Sequence, residues 1–498
     1  MVIRHEDVAR VQGGLRAMLE SLADSGPFAP YTLFVLSDST DADVVQAEER
    51  AIRALIGEAR PPGRLVYRRR ASNEGRKPGN LADFCAHWGA DFDYMVVIDA
   101  DSLLEGRTIR ELVRRMDASP RIGILQVPTR PVNRTSLFGR IQQFAAAVYG
   151  PLVTDGLNFW LGPAAPYWGH NAIVRLAPFM RHCRLPRLPG RAPFGGEILS
   201  HDFVEGALMR RAGWEVRLAA DLGGSYEEVP ANLIAHAARE RRWCLGNLQH
   251  LRLIAMPGLG LASRLTFLVG TLAYLSAPAW ALFVLVLSLG ARPAVADAMT
   301  DGRAGPQWLP AMVLLAVVLA FLFVPKILGV VRLKSRPGGL RSLGGLPAVV
   351  VSVAGECVFA ALVTPIQLVL HTQFVVAILL RRAVGWTAQS RRDRDTSLSD
   401  AVRVHWRHTA LGILLGLAYV VSPALCLWLA PSVAGLILSI PISVLSSYSR
   451  CGLYARRRSL FLIAEELATP HLLRASSGAP TIPESRPRPC FQESRLTA

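Results

Sequence analysis

The stretch Tyr94-Met95-Val96-Val97-Ile98, followed directly by Asp99-Ala100-Asp101, decides the fold of this chain. A short apolar run predicts a buried β-strand, and the alternating aspartates present both carboxylates at its carboxyl end. Open α/β sheets bind their ligands at that edge. Two carboxylates there could hold a divalent cation, and the cation could hold a diphosphate. A chance Asp-x-Asp in a loop is the alternative.

Strand and helix signals alternate on both sides of this stretch. We predict strands over Tyr31–Leu36, Arg64–Arg69 and Ile122–Val127, and helices over Ala42–Ile56, Asn80–Trp88 and Thr108–Met116. Such alternation with short loops predicts a doubly wound, mainly parallel sheet. Val2-Ile3 has the character of the tail of a further strand, so we expect Met1 to lie inside a domain.

The second half of the chain has a different composition. Of the 498 residues, 51% are hydrophobic, and the apolar runs become long only after about position 263. The runs of membrane length are Thr266–Leu289, Trp308–Val331, Leu346–Leu380, Thr409–Leu429 and Ser432–Ser447. We therefore predict an α/β domain over residues 1–263, an all-α membrane domain over 264–468 and a disordered, Ser- and Pro-rich tail over 469–498.

Two places leave the number of membrane helices open. Leu346–Leu380 is too long for one straight span and contains Thr364-Pro365, so it is either a helix hairpin or a span followed by an interfacial helix. The last two runs are expected to be joined at Ala430-Pro431. Together the runs predict about five to six membrane-inserted helices.

The net charge of +17 favours a membrane surface over nucleic acid as the partner. The arginines cluster beside apolar runs, in Arg332–Arg341, Arg381–Arg394 and Arg456–Arg458, as they do in cytoplasmic loops of membrane proteins. An aromatic and basic module of the nucleic-acid-binding kind is missing from the sequence. The seven cysteines form no C-x-x-C pair, which indicates reduced thiols facing a cytosol.

Two candidate nucleotide-binding features precede the aspartate pair. Asp38 ends an earlier predicted strand and could accept hydrogen bonds from a nucleobase or ribose; a helix N-cap or a turn is the alternative. Gly75–Asn80 is a basic, glycine-containing loop that leads into a helix and suits a phosphate, although a plain surface turn would have the same composition.

Three polar clusters follow the aspartate pair. Gly169–Ala172 and Leu199–Asp202 each lie at an element boundary, and Asp202 could be either an active-site base or a helix N-cap. Arg239–Trp243 precedes the first membrane run. Its cations could neutralise a leaving diphosphate and its indole could support a sugar ring; a juxtamembrane basic belt is the alternative.

In this order the features resemble the processive family 2 glycosyltransferases, which include cellulose and hyaluronan synthases. Within that superfamily the sequence is similar to the glucans biosynthesis glucosyltransferases of osmoregulated periplasmic glucan synthesis. The similarity covers roughly residues 1–455 and is carried by Phe34–Asp41, Arg76–Asn80, Leu199–Glu205 and Arg241–Gln249. Arg239 stands where the family's Q-x-x-R-W motif has Gln.

The resemblance implies a GT-A-type, Rossmann-like catalytic domain. On this basis Asp38 contacts the uridine with Lys77 nearby, and Asp99 and Asp101 serve the nucleotide and a Mg²⁺ or Mn²⁺ ion. Asp202 matches the catalytic base. Arg239 lies in the motif that binds the substrates, Arg242 on the diphosphate, and Trp243 under the acceptor sugar.

The resemblance also implies a function and a location. It implies a hexosyltransferase of the bacterial inner membrane, with a cytoplasmic catalytic domain, that transfers glucose from UDP-glucose with inversion to a growing β-linked glucan and helps move it across the bilayer. Periplasmic proteins of the same pathway would be possible partners. The family has membrane helices ahead of this domain, so we expect either that this sequence starts late or that the protein is truncated at its N-terminus. A cellulose-, hyaluronan- or chitin-type synthase, or a membrane transport protein with an inactive transferase-like domain, are the alternatives.

Overall fold

The structure is a computed structural model that describes residues 1–27, 30–58, 64–300, 308–335, 338–382, 395–418 and 423–476. Its strands are β1 Val2–Ile3, β2 Thr32–Ser37, β3 Arg64–Arg69, β4 Tyr94–Val97, β5 Leu103–Leu104, β6 Ile122–Gln126, β7 Arg130–Pro131, β8 Ala172–Arg175, β9 Glu215–Leu218 and β10 Ser225–Glu227. The helices of the first half are α1 Val8–Asp24, α2 Ala42–Glu58, α3 Arg76–Trp88, α4 Gly106–Ala118, α5 Leu137–Leu161, α6 Leu176–His182, α7 His201–Arg211 and α8 Leu233–Gln249. Those of the second half are α9 Leu261–Thr300, α10 Trp308–Lys334, α11 Leu346–Leu379, α12 Leu398–Ala418, α13 Pro423–Ile437, α14 Ser439–Ser447, α15 Ser449–Arg457, α16 Ala464–Leu467 and α17 His471–Ser476.

A mainly parallel sheet forms the centre of the first half. Strands β1, β2 and β3 pair in parallel, and β4, β8, β6 and β9 follow, with β8 antiparallel to both of its neighbours. The two groups join where the Val2 amide donates to the Ile98 carbonyl at 3.2 Å. The order is therefore β3-β2-β1-β4-β8-β6-β9, which confirms the predicted α/β fold class. A small second sheet, β5-β10-β7, lies beside it.

Helices cover both faces of this sheet, as the burial of its strands shows. Strand β6 is buried at every position, as expected of a strand with packing on both sides. One core contains residues of α1 and α2, and a second contains residues of α3, α6 and α7. The carboxyl ends of β1, β2 and β4 remain at one edge, where the predicted site residues lie.

The helices of the second half are long and apolar. In the described residues three helical segments are long and apolar enough to cross a membrane: Leu261–Val286, Met312–Lys334 and Leu346–Leu379. A fourth results if Leu429–Ile437 and Ser439–Ser447, which are bent by 66° relative to each other, count as one. This number of segments is lower than the predicted five to six. The structure does not describe residues 301–307, 383–394 and 419–422. The last of these ranges interrupts the predicted run Thr409–Leu429.

Two expectations about these helices are wrong. Residues 346–380 form neither a hairpin nor two separate helices, because α11 continues through Pro365. The break between the last two runs falls at Leu438, since α13 continues through Pro431. An apolar helix tolerates an internal proline when neighbouring helices and side chains satisfy the freed backbone groups.

Helix α11 is packed along the first half of the chain. Near its start, Val349 shares an apolar cluster with α5 residues such as Phe144. In its middle, Ile366 shares a cluster with Leu233 of α8. Near its end, Ile378 shares a cluster with other residues of α8, among them Cys244 and Leu248. One helix of the second half therefore follows both α5 and α8.

The end of the described chain returns to the first helix. Leu472 and Leu473 of α17 are buried in the same core as Leu15 and Met18 of α1. Arg140 of α5 binds Glu466 of α16. The prediction of a disordered tail from residue 469 is therefore wrong for residues 471–476. Two leucines of this short helix are buried against the hydrophobic surface of α1. Residues 477–498 lie outside the described part.

Candidate active site

Lys77 connects the aspartate pair to a distant loop. Asp99 follows β4, and its Oδ1 accepts a hydrogen bond from Lys77 Nζ at 2.5 Å. The same ammonium group donates to the carbonyl oxygen of Gly169 at 2.8 Å. Helix α3 begins at Arg76, earlier than predicted, so Lys77 lies in its first turn rather than in a loop. Lys77 thus holds Asp99 close to the loop that precedes β8.

Gly169 brings that loop against Asp202. It has a φ of +86°, which an L-residue rarely adopts, and a Cβ placed on it would lie 3.0 Å from Asp202 Cβ and 3.2 Å from Asp202 Oδ2. The loop is fixed by Asn171, whose backbone N–H donates a hydrogen bond to the Val97 carbonyl at 2.7 Å. Asp99 and Asp202, far apart in sequence, are therefore linked through Lys77, which binds Asp99 and the Gly169 carbonyl, and through Gly169, which lies against Asp202.

The environment of Asp202 suits a proton acceptor. Asp202 lies in the first turn of α7, while Ser200 occupies the N-cap position, so the N-cap alternative for Asp202 is wrong. Burial raises the pKa of Asp202, and the carboxylate of Glu205 adds to the rise, whereas the positive charges of His201 and Lys77 oppose it. A raised pKa moves a carboxylate toward the range useful for general base catalysis.

His170 and Glu227 complete the polar side of this edge. Nε2 of His170 lies 3.0 Å from Glu227 Oε2, and Nδ1 lies 3.9 Å from Asp99 Oδ2. Burial lowers the pKa of His170, but the hydrogen bond to Glu227 and the charge of Asp99 outweigh it and raise the pKa to about 9. Glu227 ends the short strand β10, and the sequence analysis did not identify it.

Helix α8 supplies the arginines and the tryptophan. Arg239 is half-buried; desolvation lowers its pKa, and the carboxylates of Glu240, Glu227 and Asp101 oppose that effect. Its guanidinium carbon lies 4.5 Å from the centre of the Trp243 ring. Trp243 is 47% exposed, so one part of the indole is open. Arg242 is half-buried on the same helix.

A close contact holds α8 against the start of α7. A Cβ at Gly246 would lie 2.0 Å from Ser200 Oγ, so only glycine permits this approach. Nε2 of His250 lies 3.1 Å from the carbonyl oxygen of Ser200. The helix that carries Trp243 is thereby joined to the helix that carries Asp202.

Asp38 occupies the end of the neighbouring strand β2. It is 3% exposed, and both of its oxygens accept hydrogen bonds from Arg70 at 2.8 Å. Neither the N-cap nor the turn alternative describes this bidentate pair. Arg70, which directly follows β3, was not singled out from the sequence; a basic residue at a strand's carboxyl end was the available signal.

The residues fit a divalent cation only if the substrate supplies further ligands. No group of three or more His, Cys, Asp or Glu side chains that could hold a metal ion occurs in the described ranges. Asp99 and Asp101 are hard oxygen donors at a strand end, and Mg²⁺ is commonly bound by one or two carboxylates together with substrate phosphates and water. The donor set is therefore compatible with Mg²⁺ or Mn²⁺ held jointly by the chain and a diphosphate.

Comparison with known proteins agrees with this geometry. Residues 94–324 match the family described as "Glycosyl transferase family group 2", and residues 9–160 match "Glycosyltransferase like family 2". The chain therefore contains a family 2 glycosyltransferase domain, as the resemblance in the sequence implied.

The chain is also a homologue of proteins named glucans biosynthesis glucosyltransferase H. It is 46% identical over 486 residues to that of Pseudomonas entomophila strain L48, which covers 96% of this chain and 57% of the relative. It is 45% identical over 489 residues to that of Pseudomonas putida strain W619, covering 96% and 56%. The chain thus spans little more than half the length of these relatives.

Proposed function

We propose that this chain forms the catalytic domain and part of the membrane domain of an inner-membrane glucosyltransferase. It transfers glucose from UDP-glucose, with inversion, to a growing β-linked periplasmic glucan. The names of its relatives support a glucan as the product. The family 2 domain supports sugar transfer as the reaction.

The proposal depends chiefly on the link that runs from Asp99 through Lys77 and Gly169 to Asp202. Lys77 binds both Asp99 and the Gly169 carbonyl, and Gly169 lies against Asp202. A donor diphosphate held beside Asp99 would therefore place its sugar within reach of the Asp202 carboxylate. A transport protein has no evident need for this juxtaposition of a phosphate site and a base.

The chemistry follows from the charges. Asp202 accepts the proton of the acceptor hydroxyl as that oxygen attacks the anomeric carbon, which typically contributes about 10²–10⁴-fold. The bond to UDP breaks on the opposite side, so one in-line displacement converts an α-linked donor to a β-linked product. Lys77, Arg239 and Arg242 provide positive charge where the leaving diphosphate gains negative charge. Asp38 would orient the nucleoside through Arg70, which binds both of its oxygens.

A Mg²⁺ or Mn²⁺ ion held by Asp99 and Asp101 would supply further charge stabilisation for the diphosphate. The exposed part of Trp243 offers an apolar face for the acceptor sugar. The helices that follow α8 would carry the polymer across the bilayer, since a hydrophilic glucan cannot enter lipid unaided. The basic clusters beside them support a cytoplasmic position for the catalytic domain.

The test is incorporation of labelled sugars by membranes that contain this chain. We expect glucose from UDP-glucose to enter a product that β-glucanases digest, with β anomeric signals in its NMR spectrum. Removal of divalent cations with EDTA should abolish incorporation, and Mg²⁺ or Mn²⁺ should restore it. Incorporation of another sugar in place of glucose would reject the proposal and favour a cellulose-, hyaluronan- or chitin-type synthase.

Gly169→Ala should reduce transfer roughly tenfold, because a side chain there displaces Asp202 by contact. Gly213→Ala is the matched control. Gly213 has nearly the same backbone conformation, with a φ of +87°, but a Cβ there meets nothing within 4 Å. Both variants suffer backbone strain on the order of 1–3 kcal/mol. The initial rate of glucose incorporation should fall in Gly169→Ala alone, and equal losses in both would contradict the contact argument.

A further inference from the structure

The helix that carries Asp202 also carries a second ionisable pair. Nδ1 of His201 lies 3.1 Å from Glu205 Oε1, and the two side chains are almost completely buried. Oε2 of Glu205 is buried and has no hydrogen-bond partner within the described part of the chain. A buried ion pair contributes little to stability on balance, because desolvation cancels much of the attraction. Its position next to Asp202 therefore calls for another explanation.

The charges around His201 determine what the pair does to Asp202. Burial lowers the pKa of His201, but Glu205 and Asp202 raise it more, against a smaller opposing effect of Lys77, so the net direction is upward. Two of the charged groups that act on His201 belong to its own helix and one belongs to α3. The imidazolium form therefore neutralises Glu205, which lies one helical turn from Asp202 and would otherwise raise the pKa of Asp202.

We propose that His201 and Glu205 are positioning residues for the reaction: the imidazolium of His201 balances the buried carboxylate of Glu205 and so keeps Asp202 ionised and in place at neutral pH. The inference depends on the proposed function, because it assigns to Asp202 the task of accepting a proton. It adds that the base lies beside a charge-balanced pair of side chains on the first turns of α7.

The experiment compares pH profiles of kcat/KM for glucose incorporation in wild type, His201→Gln, Glu205→Gln and the double variant. His201→Gln leaves the charge of Glu205 facing Asp202, so the acidic limb should move to higher pH by about one unit, and the rate on that limb should fall about tenfold. The double variant removes both charges together and should return the limb toward that of wild type. A merely structural pair would lower activity without this shift, and the double variant would recover nothing.

His87→Gln is the matched control. His87 pairs with Asp83 four residues earlier on α3, at 3.7 Å, but its side chain is 61% exposed. Its replacement should leave the profile unchanged. The proposal would be overturned if the acidic limb of the pH profile did not shift in His201→Gln. It would also be overturned if the double variant had the same acidic limb as His201→Gln.

A second readout does not require catalysis. In histidine-labelled full chain in lipid nanodiscs, the ¹⁵N signals of His201, assigned with His201→Gln, should be those of an imidazolium at pH 7 and of a neutral ring in Glu205→Gln. A neutral His201 at pH 7 in wild type would reject the charge-balanced pair. A charged His201 in a protein that does not use UDP-glucose would reject the proposed function and leave the pair intact.

Discussion

Asp202→Asn is expected to lower the turnover number for glucose transfer by about 10²–10⁴-fold, with the fold retained. The amide has nearly the same shape as the carboxylate but cannot accept the proton of the acceptor hydroxyl. The surrounding contacts with Gly169 tolerate it, because no atom is added. Single-turnover measurements with labelled UDP-glucose, at saturating metal ion, separate the chemical step from donor binding, which should change little.

Asp43→Asn is the control for this variant. Asp43 also lies in the first turn of a helix, α2, but its side chain is exposed. Its loss should cost only a few tenths of a kcal/mol of helix-dipole interaction and leave turnover as in wild type. Normal turnover in Asp202→Asn would show that another group accepts the proton.

The raised pKa of Asp202 also predicts how the activity of the wild-type protein depends on pH. Because burial raises the pKa of Asp202 above its usual range, transfer should decline as the pH falls through that raised value, at a higher pH than for an exposed aspartate. Asp202→Asn should lose this limb of the profile along with its activity.

Arg140→Met is expected to lower the stability of the attachment between α5 and the last helices by about 3 kcal/mol. Arg140 is 1% exposed, and its guanidinium contacts both oxygens of Glu466, at 2.5 and 3.0 Å, and the Phe461 carbonyl at 2.9 Å. Removing it leaves a carboxylate without its principal partner, since Arg456 lies farther away, at 3.5 Å. Limited proteolysis should then cut residues 458–476 faster, and thermal unfolding in detergent should begin at a lower temperature.

A neighbouring pair provides the comparison. Arg130 binds Glu465 at 2.9 Å, but its side chain is 50% exposed. Arg130→Met should therefore cost no more than about 1 kcal/mol, the range of surface ion pairs. Adding Glu466→Gln to Arg140→Met should restore part of the lost stability, because the unpaired charge is removed. Equal protection of residues 458–476 in all variants would contradict the assigned role of Arg140.

The strand-end residues could be predicted because local sequence determines them. An apolar run followed by alternating aspartates predicts that Asp99 lies at the carboxyl end of a strand, and the same reasoning applies to Asp38. Asp202 was found as a polar residue at a helix start. Its approach to Asp99 depends on Gly169 and on an antiparallel strand inserted between β4 and β6, which no local pattern indicates.

The residues that were missed owe their place to tertiary contacts. Glu227 belongs to a three-residue strand whose partners, β5 and β7, have two residues each, too short for any periodic signal. Nothing in the local sequence distinguishes Arg70 from other basic residues, because the pairing of β2 with β3 is what brings it to Asp38. The composition of the chain end predicted disorder for the segment that forms the helix α17. Composition does not show that two leucines of α17 can pack against α1.

The path of α11 bears on how the chain sits at a lipid surface. Its contacts at Val349 and Ile378 are separated by roughly 43 Å at 1.5 Å per residue, more than the 30 Å or so of a bilayer's hydrocarbon layer. Both contacts are nevertheless made to helices of the glycosyltransferase half. We therefore expect α5 and α8 to lie along the side of α11 rather than below one end of it, and cysteines introduced in place of Val349 and Ile378 to be protected from thiol reagents.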